Sequence, residues 1–461
     1  MPLLERMKAD IGRRSEILPK DVQRWKDAID QAALADPNAG GGTMGIHQSQ
    51  ISALKEMMDG LQARQTELLD QLNPSGPLLE FSTAYLKLSD EIVSAHELWR
   101  IFRYIIALHE DATIGPLIDA ADLIAVDCYL TCMNKVREWK LVADNEFRAP
   151  PLVFLEAEMS PSTASRGYSA GALGFPLRRY RNMRLPIPLI LLPSDTATSM
   201  WMLCTLHHEV GHNLDQDLKL QAEMSGLLLT RLQQHGTSQD IQKMWWQWTA
   251  EILADAFGVL LGGAGFAHAL CWWLLVLAPE PTFQAFNPDD VHPPYFVRIH
   301  LIAAMLRQFK IAALDDAARS IMDTWEAQER PGWVELYVAD SDVLADVFMN
   351  QPLAALGGRP LSDLGPDLAD DIERVARLES FLGTGISSPD PKLASSARWR
   401  HIPVAAQLAF IAQATPDSAS LDQIQKRAFA YLSNLDRPQK MAGLADKSKF
   451  FRQLVNDLKF N

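Results

Sequence analysis

The amino-acid sequence predicts a mainly α protein of the α+β class, in which a small β-sheet and two motif-bearing helices lie between helical N- and C-terminal regions. Three observations predict it. Apolar side chains recur at alternating three- and four-residue spacing between Ile51 and Leu72, which is the period of a helix. One short apolar run, Pro186-Ile187-Pro188-Leu189-Ile190-Leu191-Leu192, has the length and flanks of a buried strand. Soon after it, an apolar helical stretch holds His208-Glu209-Val210-Gly211-His212. A chain of 461 residues, 48% hydrophobic and 22% charged, can bury a large core, and we divide it into residues 1–145, 146–330 and 331–461.

In the first region, residues 39–43 contain three consecutive glycines and form a flexible joint. The seam after it, Ile51, Leu54, Met58, Leu61, Gln65, Leu68 and Leu72, is a narrow apolar stripe interrupted by Gln65. It reads as one arm of a coiled-coil-like hairpin, with Asn73-Pro74-Ser75-Gly76-Pro77 as the turn that follows. Two more long helices are expected over 78–111 and 116–143. Three heptads favour packing within the chain, self-association through these helices being the other outcome.

In the second region, the strand from Ile187 to Leu192 runs into Pro193-Ser194-Asp195, a turn containing a helix cap. Histidines four positions apart lie on one helix face, so His208 and His212 can reach a single cation while Glu209 stands beside it. That arrangement is a zinc-hydrolase signature; two packed or solvated histidines are its structural alternative. A catalytic zinc site has three protein ligands and leaves its fourth position to water, so a third ligand is required.

Residues 245–258 read as an apolar helix interrupted by Glu251 and Asp255, which share a face one turn apart. A carboxylate in such surroundings is costly unless a cation or strong donors compensate it. Zinc would compensate Glu251, and Asp255 then falls where it can accept the outer N–H of a ligating histidine. An exposed acidic stripe is the alternative, but the tryptophans, Ile252, Leu253 and Phe257 leave little polar surface for one. Asp215, Asp217 and Glu223 are rival third ligands, each without a matching partner one turn further on.

The pairing of His208-Glu209-x-x-His212 with Glu251-x-x-Ala254-Asp255 resembles the gluzincin metallopeptidases, and most of all the branch of the CAAX prenyl endopeptidase and the bacterial heat-shock membrane peptidases. In that branch a His-Pro pair and then Arg-Ile follow the third-ligand helix; here stand His292-Pro293 and Arg298-Ile299. Metzincins are excluded, because Asp215 and Leu218 occupy the positions where they place Gly and His. The resemblance covers residues 165–305, about a third of the chain. It implies a zincin-like core in a soluble form, with Zn2+ on His208, His212 and Glu251, Glu209 as catalytic base and Asp255 behind the ligands. It also implies two strands before the metal helix, slots that residues 168–174 and 187–192 fit, with Gly171, Ala172 and Leu173 as the peptide-binding edge. The long basic loop between them, with Arg178, Arg179, Arg181 and Arg184, departs from that pattern.

The constellation points to endoproteolysis of a protein or peptide substrate. With two neutral imidazoles and one carboxylate around zinc, the pKa of its water falls towards neutrality. Glu209 can take the proton as that water attacks a carbonyl, then return it to the leaving amine. The oxyanion needs a further donor, for which His292, Tyr295 and Arg298 are candidates. Each has a structural reading too: His292 as a cap before two prolines, Tyr295 as core, and Arg298 as partner of a buried carboxylate such as Asp255. A helical scaffold with an inactive or structural zincin core, and a ferrous iron site on the same ligands, are the alternatives.

Residues 256–279 run without a charge and are long enough to cross a bilayer, but the Gly262-Gly263-x-Gly265 break suits the end of one buried helix and the start of another. Further helices follow over 301–314 and beyond, separated by Arg330-Pro331-Gly332, residues 357–366 and Ser387-Ser388-Pro389-Asp390-Pro391. Residues 398–403 open another apolar helix, with His401 as a capping or surface residue, and 437–461 form a mixed-charge tail. A net charge of −14 argues against nucleic-acid binding and against docking on anionic membranes. Cys128, Cys132, Cys204 and Cys271 lack metal or disulfide spacing, and the N-terminus lacks the apolar stretch of a signal peptide, so a cytoplasmic location is expected.

Overall fold

The computed structural model describes residues 5–6, 20–28, 48–71, 77–111, 114–142, 148–156, 160–164, 166, 187–193, 199–277, 286–328, 331–384, 397–413 and 417–434. It is mainly helical with one small mixed sheet. Helix α1 (Gln48–Asp70) packs on α2 (Leu78–Glu110) through the expected seam, in which Leu54, Met58, Leu61 and Gln65 are buried. On α2 the buried residues Phe81, Leu88, Ala95 and Phe102 repeat every seven positions, the spacing of a helix pair. The expected joint at 39–43 and most of the turn at 73–77 lie outside the described residues. Helix α3 (Gly115–Glu138) starts with Pro116 in its first turn and ends before the expected 143.

The sheet comprises β1 (Leu152–Glu156), β2 (Ser162–Ala164) and β3 (Leu189–Pro193) in the order β1-β3-β2. β1 runs parallel to β3, with Val153 opposite Ile190, and β2 runs antiparallel to it, with Thr163 opposite Ile190. β3 is the strand read from the apolar run, beginning two residues later and ending one residue later than expected. The expected edge strand at 168–174, with Gly171, Ala172 and Leu173, and the basic loop at 178–184 lie outside the described residues. In the structure β2 takes the place beside β3; at three residues it is too short to show an alternation.

Alternation along β1 and β3 sends successive side chains to two cores. Leu152, Phe154, Leu189 and Leu191 join the α1–α2 side, whereas Val153, Leu155, Ile190 and Leu192 join a larger cluster that extends from Ile118 on α3 to Leu432 near the end of the described chain. That larger cluster takes residues from all three regions of the sequence. Asp122, wholly buried on α3, ties the two sides together. One carboxylate oxygen lies 2.7 Å from His109 Nε2 at the end of α2, and the other accepts the Val153 N–H on β1 at 2.7 Å.

Beyond the sheet come α4 (Leu206–Leu218), α5 (Gln221–His235), α6 (Gln239–Gln247), α7 (Thr249–Leu277), α8 (Tyr295–Gln308), α9 (Ala312–Glu326), α10 (Ser341–Asn350), α11 (Leu368–Thr384), α12 (His401–Ile411) and α13 (Ser418–Asn434). The stretch expected as one helix over 245–258 is divided, since Trp245 belongs to α6 and α7 begins at Thr249. The helix expected over 301–314 is likewise two, α8 and α9, separated where Lys310 turns left-handed at φ 55°. α7 takes in the uncharged stretch as far as Leu277, and as the glycines lead one to expect it is two helical segments that meet at a kink: Gly263 has φ 50° and ψ −132°, open only to glycine. By length and composition α7 could cross a bilayer, yet 72% of its most apolar window is buried within the fold. His401 is the first residue of α12 and neither caps it nor lies at the surface: its Nδ1 accepts the Arg398 N–H at 3.1 Å, ahead of the helix, and its side chain is buried in the core. The four cysteines are free and buried.

Candidate metal centre

Helix α4 buries Leu206, Val210 and Leu214 in the large cluster and carries His208, Glu209 and His212 along its opposite side. What brings α7 to it is Gly211. A Cβ at that position would lie 2.9 Å from both the Cα and the carbonyl oxygen of Ala254, so the two backbones meet there with no side chain between them. Close approach puts Glu251 and Asp255, one turn apart on α7, against the histidines.

His208 Nε2 lies 3.1 Å from His212 Nε2, and the Glu251 carboxylate lies 3.4 Å from each of them. The three groups form a cluster able to hold a metal ion, buried at His208 and partly open at His212 and Glu251. Ligands held at roughly 2.0–2.1 Å around a tetrahedral cation stand about 3.3 Å apart, so the observed separations fit such an ion. Behind them His208 Nδ1 donates to Asp255 Oδ1 at 2.8 Å, so Nε2 is the nitrogen that faces His212 and Glu251 and would offer its lone pair to a cation on losing its proton.

Arg298, on α8, forks onto Asp255 with Nε to Oδ2 at 2.6 Å and Nη2 to Oδ1 at 2.7 Å, and its Nη2 stands 3.9 Å from Glu251. Burial alone would push His208 down, but hydrogen bonds to Asp255 and Glu251 outweigh it and raise the imidazole to about 9 without a metal. Burial keeps His212 below its usual value. Burial would raise Glu251 and Asp255; the His208 hydrogen bond and His212 reverse it for Glu251, and Arg298 does so for Asp255, so both stay ionised. The site is thus an alternating array of opposite charges, poised to exchange a proton for a cation.

Glu209 is buried, and its Oε2 accepts the Thr163 hydroxyl at 2.7 Å. Thr163 comes from β2 and is a contact that sequence reasoning missed, because a lone threonine in a three-residue strand carries no pattern. The Glu209 carbonyl accepts Asn213 Nδ2 at 3.0 Å. His292 is exposed, with Nδ1 on Asp290 at 3.0 Å and Nε2 3.6 Å from Glu251 Oε2. It does not cap a helix: α8 starts at Tyr295 behind Pro294, without a side-chain cap. Tyr295 is half-buried against the large cluster, and Arg298 takes the buried-carboxylate role.

The rival third ligands are engaged elsewhere. Asp215 accepts the Gln221 N–H at 2.8 Å and shapes the left-handed exit of α4 at Lys219. Asp217 takes the Tyr129 hydroxyl and the guanidinium groups of Arg148 and Arg166. Glu223 accepts the backbone N–H groups of Ala354 and Ala355. Comparison with protein-family models, curated proteins and solved structures finds none that matches this chain.

Proposed function

We propose that the chain is a zinc-dependent endopeptidase in which His208, His212 and Glu251 hold the metal and Glu209 is the general base. One observation carries this reading: the Nε2 atoms of His208 and His212 lie 3.1 Å apart and each lies 3.4 Å from one oxygen of the Glu251 carboxylate, with the outer nitrogen of His208 already fixed on Asp255. Bound there, zinc would supply a Lewis acid and make water nucleophilic near neutral pH. Glu209, its Oε2 held by Thr163, accepts the proton of the attacking water and passes it to the leaving amine. Arg298 is committed to Asp255, so its part is to hold that carboxylate under His208. His292 is exposed on the open side, with Nδ1 oriented by Asp290, and in its protonated form donates Nε2–H to the oxyanion; Tyr295, three residues before Arg298, is the second candidate. An extended peptide laid along the edge of β2 would place its backbone beside Glu209 with little dependence on sequence. A reducing, cytoplasmic setting suits the buried free thiols.

The test is Glu209→Gln. Elemental analysis of untagged protein should give one zinc per chain in both forms, and comparison of protein termini in cells should show cleavages with the native chain that are absent with the variant. Iron in place of zinc, or the same new termini in both, would overturn the proposal.

A further inference from the structure

Away from the metal centre, a cavity of about 360 Å³ opens between the bend of α7 and helices α9, α11 and α12. Protein interiors close to crystal density, so a space this large is not packing slack, and it falls within the size range of small-molecule sites. At on the order of 30 Å³ for each water-sized unit, it has room for about a dozen non-hydrogen atoms. Leu261, Leu314, Ala317, Val375 and Leu408 give it apolar walls.

The bend builds the cavity. At Gly263 an added Cβ would find only Leu314 Cδ2 at 3.6 Å, so the glycine there answers to its φ of 50°. At Gly265 a Cβ would lie 2.8 Å from the Val404 Cα, so α7 resumes pressed onto α12. The helix is therefore open on one side of the kink and closed on the other.

Charge decides what fits. No Lys or Arg lines the space among the described residues. Of its carboxylates, Asp371 is matched by Arg400 at 2.6 Å and His401 at 3.0 Å, and Asp316 by Arg319. Glu379 has no ion-pair partner among the described residues, and burial pushes its carboxyl up, the mark of a carboxylate that lacks a cation. His268 lines the same cavity and is held neutral by burial, its pKa lowered to about 4, so it adds no positive charge.

We propose that this cavity is a binding site for a cationic amphiphile: an apolar body of about a dozen non-hydrogen atoms in the α7–α9–α11–α12 walls, with a protonated amine against Glu379. Fatty acids and other apolar anions would meet the same carboxylate and no compensating base, so they are rejected. The site stands independently of the metal centre, although the helix that forms it also carries Glu251 and Asp255.

Calorimetric titration of the full chain with decylamine, 1-decanol and decanoate, each below its micelle concentration, tests this. Decylamine should bind saturably at one per chain, at least tenfold more tightly than decanoate. Glu379→Gln should reduce it to the affinity of decanol. Ala376→Trp, at the exposed rim, should abolish binding while circular dichroism stays unchanged. Absence of saturable decylamine binding, undiminished binding in either variant, or decanoate binding as tightly as the amine would overturn the assignment.

Discussion

Thr163 shows what a single residue adds to the centre. Its hydroxyl is the donor that fixes one oxygen of Glu209, and a base displaced by a fraction of an ångström from its proton loses much of its effect. Thr163→Val keeps the shape and removes the donor. We expect kcat to fall about ten- to a hundredfold with zinc content unchanged, and Thr163→Ser to restore most of it. Steady-state kinetics on a cleaved peptide check this, and an unchanged kcat in the valine variant would remove Thr163 from the machinery. The residues legible in the sequence are those whose spacing is short: His208 and His212 announce themselves by one helical turn, and Glu251 with Asp255 by two carboxylates in an apolar helix. Thr163 is not, and neither was the exclusion of Asp215, Asp217 and Glu223. Their donors come from Gln221, Tyr129, Arg148, Arg166, Ala354 and Ala355, and for most of these the pairing depends on long-range packing.

At the scale of elements, the α4–α7 contact depends on Gly211. Alanine there would gain helix propensity of about 1 kcal/mol, but its methyl would meet the Ala254 backbone at 2.9 Å, which cannot step aside as a flexible side chain could. The helices must part, at a net cost of about 1–2 kcal/mol, and Glu251 moves away from the histidines. Gly211→Ala should therefore weaken zinc binding by at least tenfold in competition with a chromogenic chelator; native affinity would show that the contact yields elsewhere. A second element-level tie is His109 to Asp122, which joins α2, α3 and β1. Burial lowers His109, but its partnership with Asp122 wins and raises it to about 9. A folded-state pKa above the unfolded value of about 6.5 means stability that is fully present below pH 6.5 and lost as pH rises through 9, up to about 3 kcal/mol. The difference in urea stability between the native chain and His109→Gln should shrink across that window, and a constant difference would show that the pair does not titrate. Helical periods made α1 and α2 readable and the glycines gave the kink of α7; β2 escaped because three residues offer too few alternations.

Across the whole molecule, the three side chains able to hold a metal come from two helices of the large cluster, and Arg298 brings in a third. A cation at that junction therefore favours the folded chain over the unfolded one by mass action, by about 2.7 kcal/mol when present at a hundred times its dissociation constant. Yet the fold should not collapse without it. With the metal absent His208 keeps its proton, and Glu251 and Asp255 on either side stay ionised, so the centre holds as a set of paired charges. Chelation should thus lower the melting temperature by several degrees while leaving the far-ultraviolet circular dichroism at 25 °C intact, and readdition of zinc should reverse the shift. Glu251→Gln separates metal from packing. It removes one ligand charge and leaves Asp255 and Arg298 in place, so its melting temperature should no longer respond to zinc or chelator. A zinc-dependent shift of undiminished size in Glu251→Gln would put the stabilising cation somewhere other than between α4 and α7.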